Sequence, residues 1–319
     1  MKRKVLFVTV LSVLFCGCNS YDYSGDDIMG AKAVIRGTIS EATRTVGTTW
    51  IESDCIGVTC DNDVNIPYKY IESSLSFMAS DEGQSIYLLG KQNHALSGYY
   101  PFMETSVMTD GWIAVETTAE KQIPDQQSTI DFLYATAEAS RSNPLVDFDF
   151  NHQMTRVDFK FEGRDGLVLD DITYTLLGLK LQGAFNTIDG TTAIAENTPV
   201  QPLSQDIPVS QNMQTSLVLL PQETSEVAFQ LTMGDKSYYK KMEEMDLRPG
   251  HIYTYTVGIS QKNETIYVTI ERGEVQKWIE GDRQEISTSN NANVTEVVSG
   301  ASQWGTGDYQ GIDSQDVNK

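Results

Sequence analysis

The sequence predicts an all-β protein made of two tandem antiparallel β-sandwich domains. Three observations carry this. Apolar and polar residues alternate with period two in run after run, while no long stretch shows a helical period. Turn signals rich in Gly, Asp and Pro separate these runs. The 319 residues exceed the ~100 of one sandwich, and a proline-bearing break falls near the middle.

The start of the chain predicts export. Met1-Lys2-Arg3-Lys4 is basic, Val5 to Phe15 is apolar apart from Thr9 and Ser12, and Phe15-Cys16-Gly17-Cys18 sets a small residue before a cysteine. That order is the layout of a bacterial signal peptide over residues 1–17. The apolar run is shorter than the ~20 residues a bilayer span requires. Cys18 then becomes the lipidated mature N-terminus, although Phe15 stands where leucine is usual. Residues 18–30, with Asp22, Asp26 and Asp27, read as a flexible lipidated tether.

Residues 31–143 read as the first sandwich. Its first strand sets Ala33, Ile35, Gly37 and Ile39 against Val34, Arg36, Thr38 and Ser40. The boundary is expected at Arg141-Ser142-Asn143-Pro144, since proline interrupts a central strand. Residues 144–280 read as the second sandwich. There Val146, Phe148, Phe150, His152 and Met154 share a face, and the apolar set then flips to Val157, Phe159 and Phe161. A one-residue slip reverses every side chain, so a bulge is expected near Thr155-Arg156.

Further on, Leu177, Leu179 and Leu181 form one face, Val227, Phe229, Leu231 and Met233 a second, and Tyr253, Tyr255, Val257 and Ile259 a third. Asp189-Gly190 and Gly234-Asp235 predict hairpins, and Arg248-Pro249-Gly250 punctuates before Tyr253. Residues 281–319 are polar, with few apolar residues to bury, and predict a flexible tail.

Composition narrows the chemistry. A formal net charge of -21 disfavours nucleic acid, whose phosphates would be repelled. Of four cysteines, only Cys55 and Cys60 remain after the signal peptide and the lipidation site. On one extended strand they would stand about 16 Å apart, beyond the ~7 Å limit for a disulfide. His152, between Phe150 and Met154, reads as a core histidine rather than a ligand or base. His94 and His251 are expected to bring no metal-spaced cluster, so neither metal nor cofactor is predicted. Asp61-Asn62-Asp63 lacks the glycine and distant glutamate of a calcium loop and reads as an acidic turn. Gly234-Asp235-Lys236-Ser237 lacks the first glycine of a phosphate loop. No nucleophile elbow or acid–base pair stands out, and no enzyme is expected.

An ordered set of short segments carries a family resemblance. It runs Thr43-Arg44-Thr45, Trp50, Asp54-Cys55-Ile56-Gly57-Val58, Gly98-Tyr99-Tyr100-Pro101-Phe102 and Asp131-Phe132-Leu133-Tyr134-Ala135. It continues through Phe150-Asn151-His152-Gln153-Met154, Leu219-Leu220-Pro221 and Gly250-His251-Ile252-Tyr253-Thr254-Tyr255 to Trp278. The set resembles the fimbrillin family, the type V pilins and pilin-associated lipoproteins of anaerobic Gram-negative bacteria. Ser53 before Asp54 departs from the glycine usual there.

The resemblance implies transthyretin-like sandwiches, with Trp50 and Tyr100 as core aromatics and His152 as a structural residue. It implies a lipid-anchored protein of the outer membrane that contributes to cell adhesion. In such pilins an arginine-specific protease removes the first strand, here Ala33 to Ser40, and another subunit's strand fills the groove. Arg44 is the better cleavage candidate, because Arg36 lies inside the strand; Arg44 as a plain polar turn residue fits equally. The tail offers only Val294 to Val298 as a donor, which favours a tip or accessory subunit over a stalk. The alternative is a non-polymerising surface lipoprotein that binds a glycan or a host or bacterial surface protein. Its candidate contact residues are Tyr99, Trp112, Trp304 and Tyr309.

Overall fold

The computed structural model describes residues 30–39, 50–170, 172–207, 213–242, 244–263 and 265–278. Cys18, Arg44, Trp304, Tyr309 and the 281–319 tail lie outside these residues. Within them strands dominate, and the α-helix Pro124–Gln127 is a single turn.

Seven strands make the first unit. Their hydrogen-bonded order is Leu133–Ser140, Leu145–His152, Val34–Ile39, Ser76–Ala79, Asp63–Ile71, Cys55–Cys60 and Asn93–Tyr100, which returns to Leu133–Ser140. The two open sheets expected here are thus closed into a barrel. Closure is slight on one side: Val34–Ile39 meets Ser76–Ala79 at the single pair Ile35↔Phe77. Its other side runs in register with Leu145–His152 from Leu145↔Val34 to Phe150↔Ile39. Inward-facing Ile35, Ile56, Val58, Tyr68, Phe77 and Phe148 fill the interior.

The expected boundary at 143/144 falls inside this unit. Leu145–His152 pairs with Leu133–Ser140 and Val34–Ile39, and Val146, Phe148 and Phe150 lie in the first core. Pro144 sits just before its strand, where a missing N–H interrupts no ladder, and its carbonyl accepts from Val34 N at 2.9 Å. The crossing comes instead at Gln153-Met154. This also replaces the expected bulge at Thr155-Arg156: the apolar face flips because Leu145–His152 and Thr155–Gly163 belong to different sheets.

The second unit is a sandwich. One sheet orders Gln214–Leu219, Thr155–Gly163, His251–Lys262 and Thr265–Arg272; the other orders Val200–Ile207, Ile172–Lys180, Ala228–Met233 and Lys236–Lys241. Phe159, Tyr174, Phe229 and Tyr255 pack between them. The Gly234-Asp235 hairpin forms as expected, with Met233 opposite Lys236. The leucine face differs. Register shifts between Leu176 and Leu179, so Leu176, not Leu177, joins Leu179 and Leu181 in the core. Gly178 makes this possible with φ +92°, and a Cβ there would lie 2.5 Å from the Glu226 carbonyl oxygen.

Two pairings are parallel where antiparallel ones were expected: Leu145–His152 with Val34–Ile39, and Thr155–Gly163 with His251–Lys262. In each unit an early strand lies beside a late one.

A shared sheet and a shared core join the units. Trp112–Glu116 pairs antiparallel with Gln182–Asn186. Tyr99, Ile113 and Phe132 pack with Phe185, Val218 and Trp278. Buried Gln122 ties the halves through Nε2 to the Val218 carbonyl and Oε1 to the Val218 N–H, both at 2.9 Å. Gln127 Nε2 donates to the Ser216 carbonyl at 2.6 Å. Each satisfies backbone groups that would otherwise be costly to bury.

Candidate functional site

The seat of the first strand collects most of the residues singled out in the sequence. Ile35 is fully buried, while Val34, Arg36 and Thr38 face outward. Gly37 lets two rings close over the strand: a Cβ there would stand 2.9 Å from Phe150 and 3.1 Å from Phe77. Trp50 lies edge-on to Phe77, Tyr100 and Phe150 at 5.0, 5.5 and 5.4 Å. Its indole Nε1 donates to the Gly37 carbonyl at 2.7 Å. Trp50 therefore holds the strand by packing and by one hydrogen bond.

Asp54 braces this wall. Its Oδ2 accepts from Ile51 N at 2.7 Å, and its Oδ1 accepts from the Tyr100 hydroxyl at 3.3 Å. The following Tyr100-Pro101 peptide bond is cis. Gly57 has a separate reason: a Cβ would lie 2.2 Å from the Tyr99 ring and 2.6 Å from Asn65 Oδ1. Tyr99 donates to that oxygen at 2.7 Å, and burial pushes its hydroxyl pKa up, so it stays a donor. Arg36 keeps its backbone inside the ladder, opposite Asp147.

His152 and Trp278 meet at the junction of the units. Their rings stack at 3.8 Å with a 6° interplanar angle. His152 Nδ1 donates to buried Asp131 Oδ1 at 2.8 Å. Trp278 N donates to the Gly250 carbonyl, and Gly250 N to the Met154 carbonyl, both at 2.8 Å. With His152 4% exposed, this cluster packs the junction and offers no face to a substrate.

One cluster contradicts the expectation for His94. Cys60 pairs with Leu96 across adjacent strands, which brings His94 beside the turn at Asp61. Cys60, Asp61 and His94 offer ligand atoms within 4.8 Å of one another. The signal in the sequence was Cys60-Asp61 at a strand end, but the histidine completing it is remote in the chain. Burial, then the charges of Asp61 and Asp63, push the Cys60 thiol up to about 11. The Leu89 carbonyl, then Asp61, raise the His94 pKa. Cys55 and Cys60 share the strand Cys55–Cys60 and are free thiols, as extended geometry required.

The candidate aromatics for a surface ligand fare poorly among the described residues. Tyr99 is 2% exposed, and Trp112 is half-buried in the sheet shared by the units. No helix among the described residues is long and apolar enough to cross a membrane.

Barrel, sandwich and clasped first strand define a two-unit all-β protein. The chain belongs to the fimbrillin-like family, whose profile matches residues 43–278. It is similar to a candidate cell adhesion protein from Bacteroides ovatus at 33% identity and a TM-score of 0.69, covering 79% of this chain and 99% of that one. A second candidate cell adhesion protein, from Bacteroides uniformis, shares 19% identity with a TM-score of 0.61 over 77% of this chain and 99% of that one. At that identity the likeness is one of fold alone. No curated protein matches the chain.

Proposed function

We propose that this chain is a fimbrial subunit of the bacterial surface that joins its neighbours by strand exchange and contributes to cell adhesion. The observation that carries the reading is the seat of Val34–Ile39. This strand comes early in the chain yet fills a place between Leu145–His152 and Ser76–Ala79. Removing it would uncover the pocket of Ile35 and leave one side of Leu145–His152 without its ladder. Exposed apolar surface and unpaired backbone together invite an added strand. An incoming strand that restored the same register would run parallel to Leu145–His152.

Arg44 follows the strand in sequence, so cleavage there would sever Val34–Ile39 from the rest of the barrel. At Arg36 the backbone lies within the ladder, which resists a protease. The chain is exported and anchored at the outer membrane through acylated Cys18. The polar tail makes it a weak donor, which favours a tip or accessory place over a stalk. Family membership and the 33%-identical relative support the surface and adhesive parts of this reading.

The test is to incubate the full exported chain with an arginine-specific protease and follow it on gels. Trimmed chains should appear with laddered oligomers. A trimmed chain that stays monomeric at every concentration would contradict strand exchange and favour the non-polymerising surface binder.

A further inference from the structure

We propose that Cys60, Asp61 and His94 form a zinc site at one end of the first barrel. The three donors come from the end of Cys55–Cys60, the turn after it and the start of Asn93–Tyr100. Asp61 turns the chain at φ 53°, and its Oδ2 reaches His94 Nδ1 at 2.6 Å. His94 Nε2 donates to the Leu89 carbonyl at 2.8 Å. A zinc-bound histidine ordinarily gives its second ring N–H to such a carbonyl, which fixes the tautomer. With Nε2 protonated, Nδ1 of the neutral ring presents a lone pair to a carboxylate oxygen. The two atoms converge at 2.6 Å, so both can turn toward one ion set beside them.

The buried Cys60 sulfur lies within hydrogen-bond reach of the same Asp61 carboxylate, so three donors of the kinds a borderline divalent ion takes stand together. A thiolate and a carboxylate would together balance the charge of Zn²⁺. Zinc bonds of ~2.0–2.3 Å set tetrahedral donor atoms about 3.2–3.8 Å apart. The Asp61 side chain is 59% exposed and free to rotate outward to that spacing, while the His94 side chain is 4% exposed and held by Leu89. Three protein donors leave the fourth position to water.

Cobalt serves as the probe, because a thiolate bound to Co²⁺ gives a charge-transfer band in the near ultraviolet. The full chain should bind one equivalent of Co²⁺ with that band, and Zn²⁺ should displace it. Cys60→Ser should abolish the band, while Cys55→Ser should leave it intact. Asp61→Asn changes a surface residue and so keeps the fold. It should weaken Zn²⁺ binding by about 10–100-fold, the loss expected at least for a supporting partner. Absence of the band in the unaltered chain, its survival in Cys60→Ser, or unchanged Zn²⁺ affinity in Asp61→Asn would each overturn the site.

Discussion

Replacing Trp50 by alanine is expected to destabilise the protein by about 3–5 kcal/mol, the usual cost of removing a large buried aromatic. Trp50 is 7% exposed and touches three other rings edge-on. Its loss leaves a cavity that Phe77, Tyr100 and Phe150 cannot fill, because each is committed to a different strand. It also removes the donor to the Gly37 carbonyl, worth about 1 kcal/mol. The damage should concentrate on the first strand, since the single pair Ile35↔Phe77 is its only register to Ser76–Ala79. Hydrogen exchange should therefore rise first at the amides of Val34–Ile39. Trp50→Phe should keep most of the packing and lose the hydrogen bond. A Trp50→Ala protein whose first-strand amides exchange no faster than those of Cys55–Cys60 would show that Trp50 does not hold the strand.

Replacing Trp278 by alanine should cost a similar ~3–5 kcal/mol, by a different route. Trp278 is 3% exposed and closes the shared core at the crossing from one unit to the other. Its removal strips one face of the His152 ring and loosens the end of the last described strand, Gln276–Lys277. His152→Leu should cost less, about 1–3 kcal/mol, because it leaves the buried Asp131 carboxylate without its donor. Since the rings stack, the two losses should fall short of additivity by at least ~0.5 kcal/mol in the double variant. Denaturant unfolding measures all three. Strict additivity would mean that the stack contributes nothing beyond the two side chains taken singly. In Trp278→Ala the units should also unfold in separate steps, whereas the parent, with its shared core intact, should unfold in one.

Local alternation was legible in the sequence because period two is a property of neighbouring residues. It placed Ile35, Phe229 and Tyr253 inward and both glycine-bearing hairpins at their turns. Pairing was harder to read. The run Val146, Phe148, Phe150 says which side is buried but not which sheet buries it, so Pro144 reads as a domain break although it only opens a strand. Ring closure and the two parallel pairings join segments remote in the chain, and no local pattern encodes them. Gly178 was a readable sign of the bulge that exchanges Leu177 for Leu176, since glycine inside a strand often marks one. Nothing local marks Gln122 and Gln127 for burial, which follows from their hydrogen bonds to the Val218 and Ser216 backbone. The family motifs were legible as an ordered set. Their physical roles around the first strand emerge only when Trp50, Asp54 and Tyr100 come together.

The mass of the N-terminal peptide, measured on chains recovered from surface polymers of the producing cells, tests strand exchange most directly. Subunits that gave up the first strand begin at Thr45, after cleavage at Arg44, and yield no peptide covering Val34–Ile39. Polymer subunits that begin at an acylated Cys18 and still contain Val34–Ile39 would contradict a mechanism in which that strand is removed and replaced.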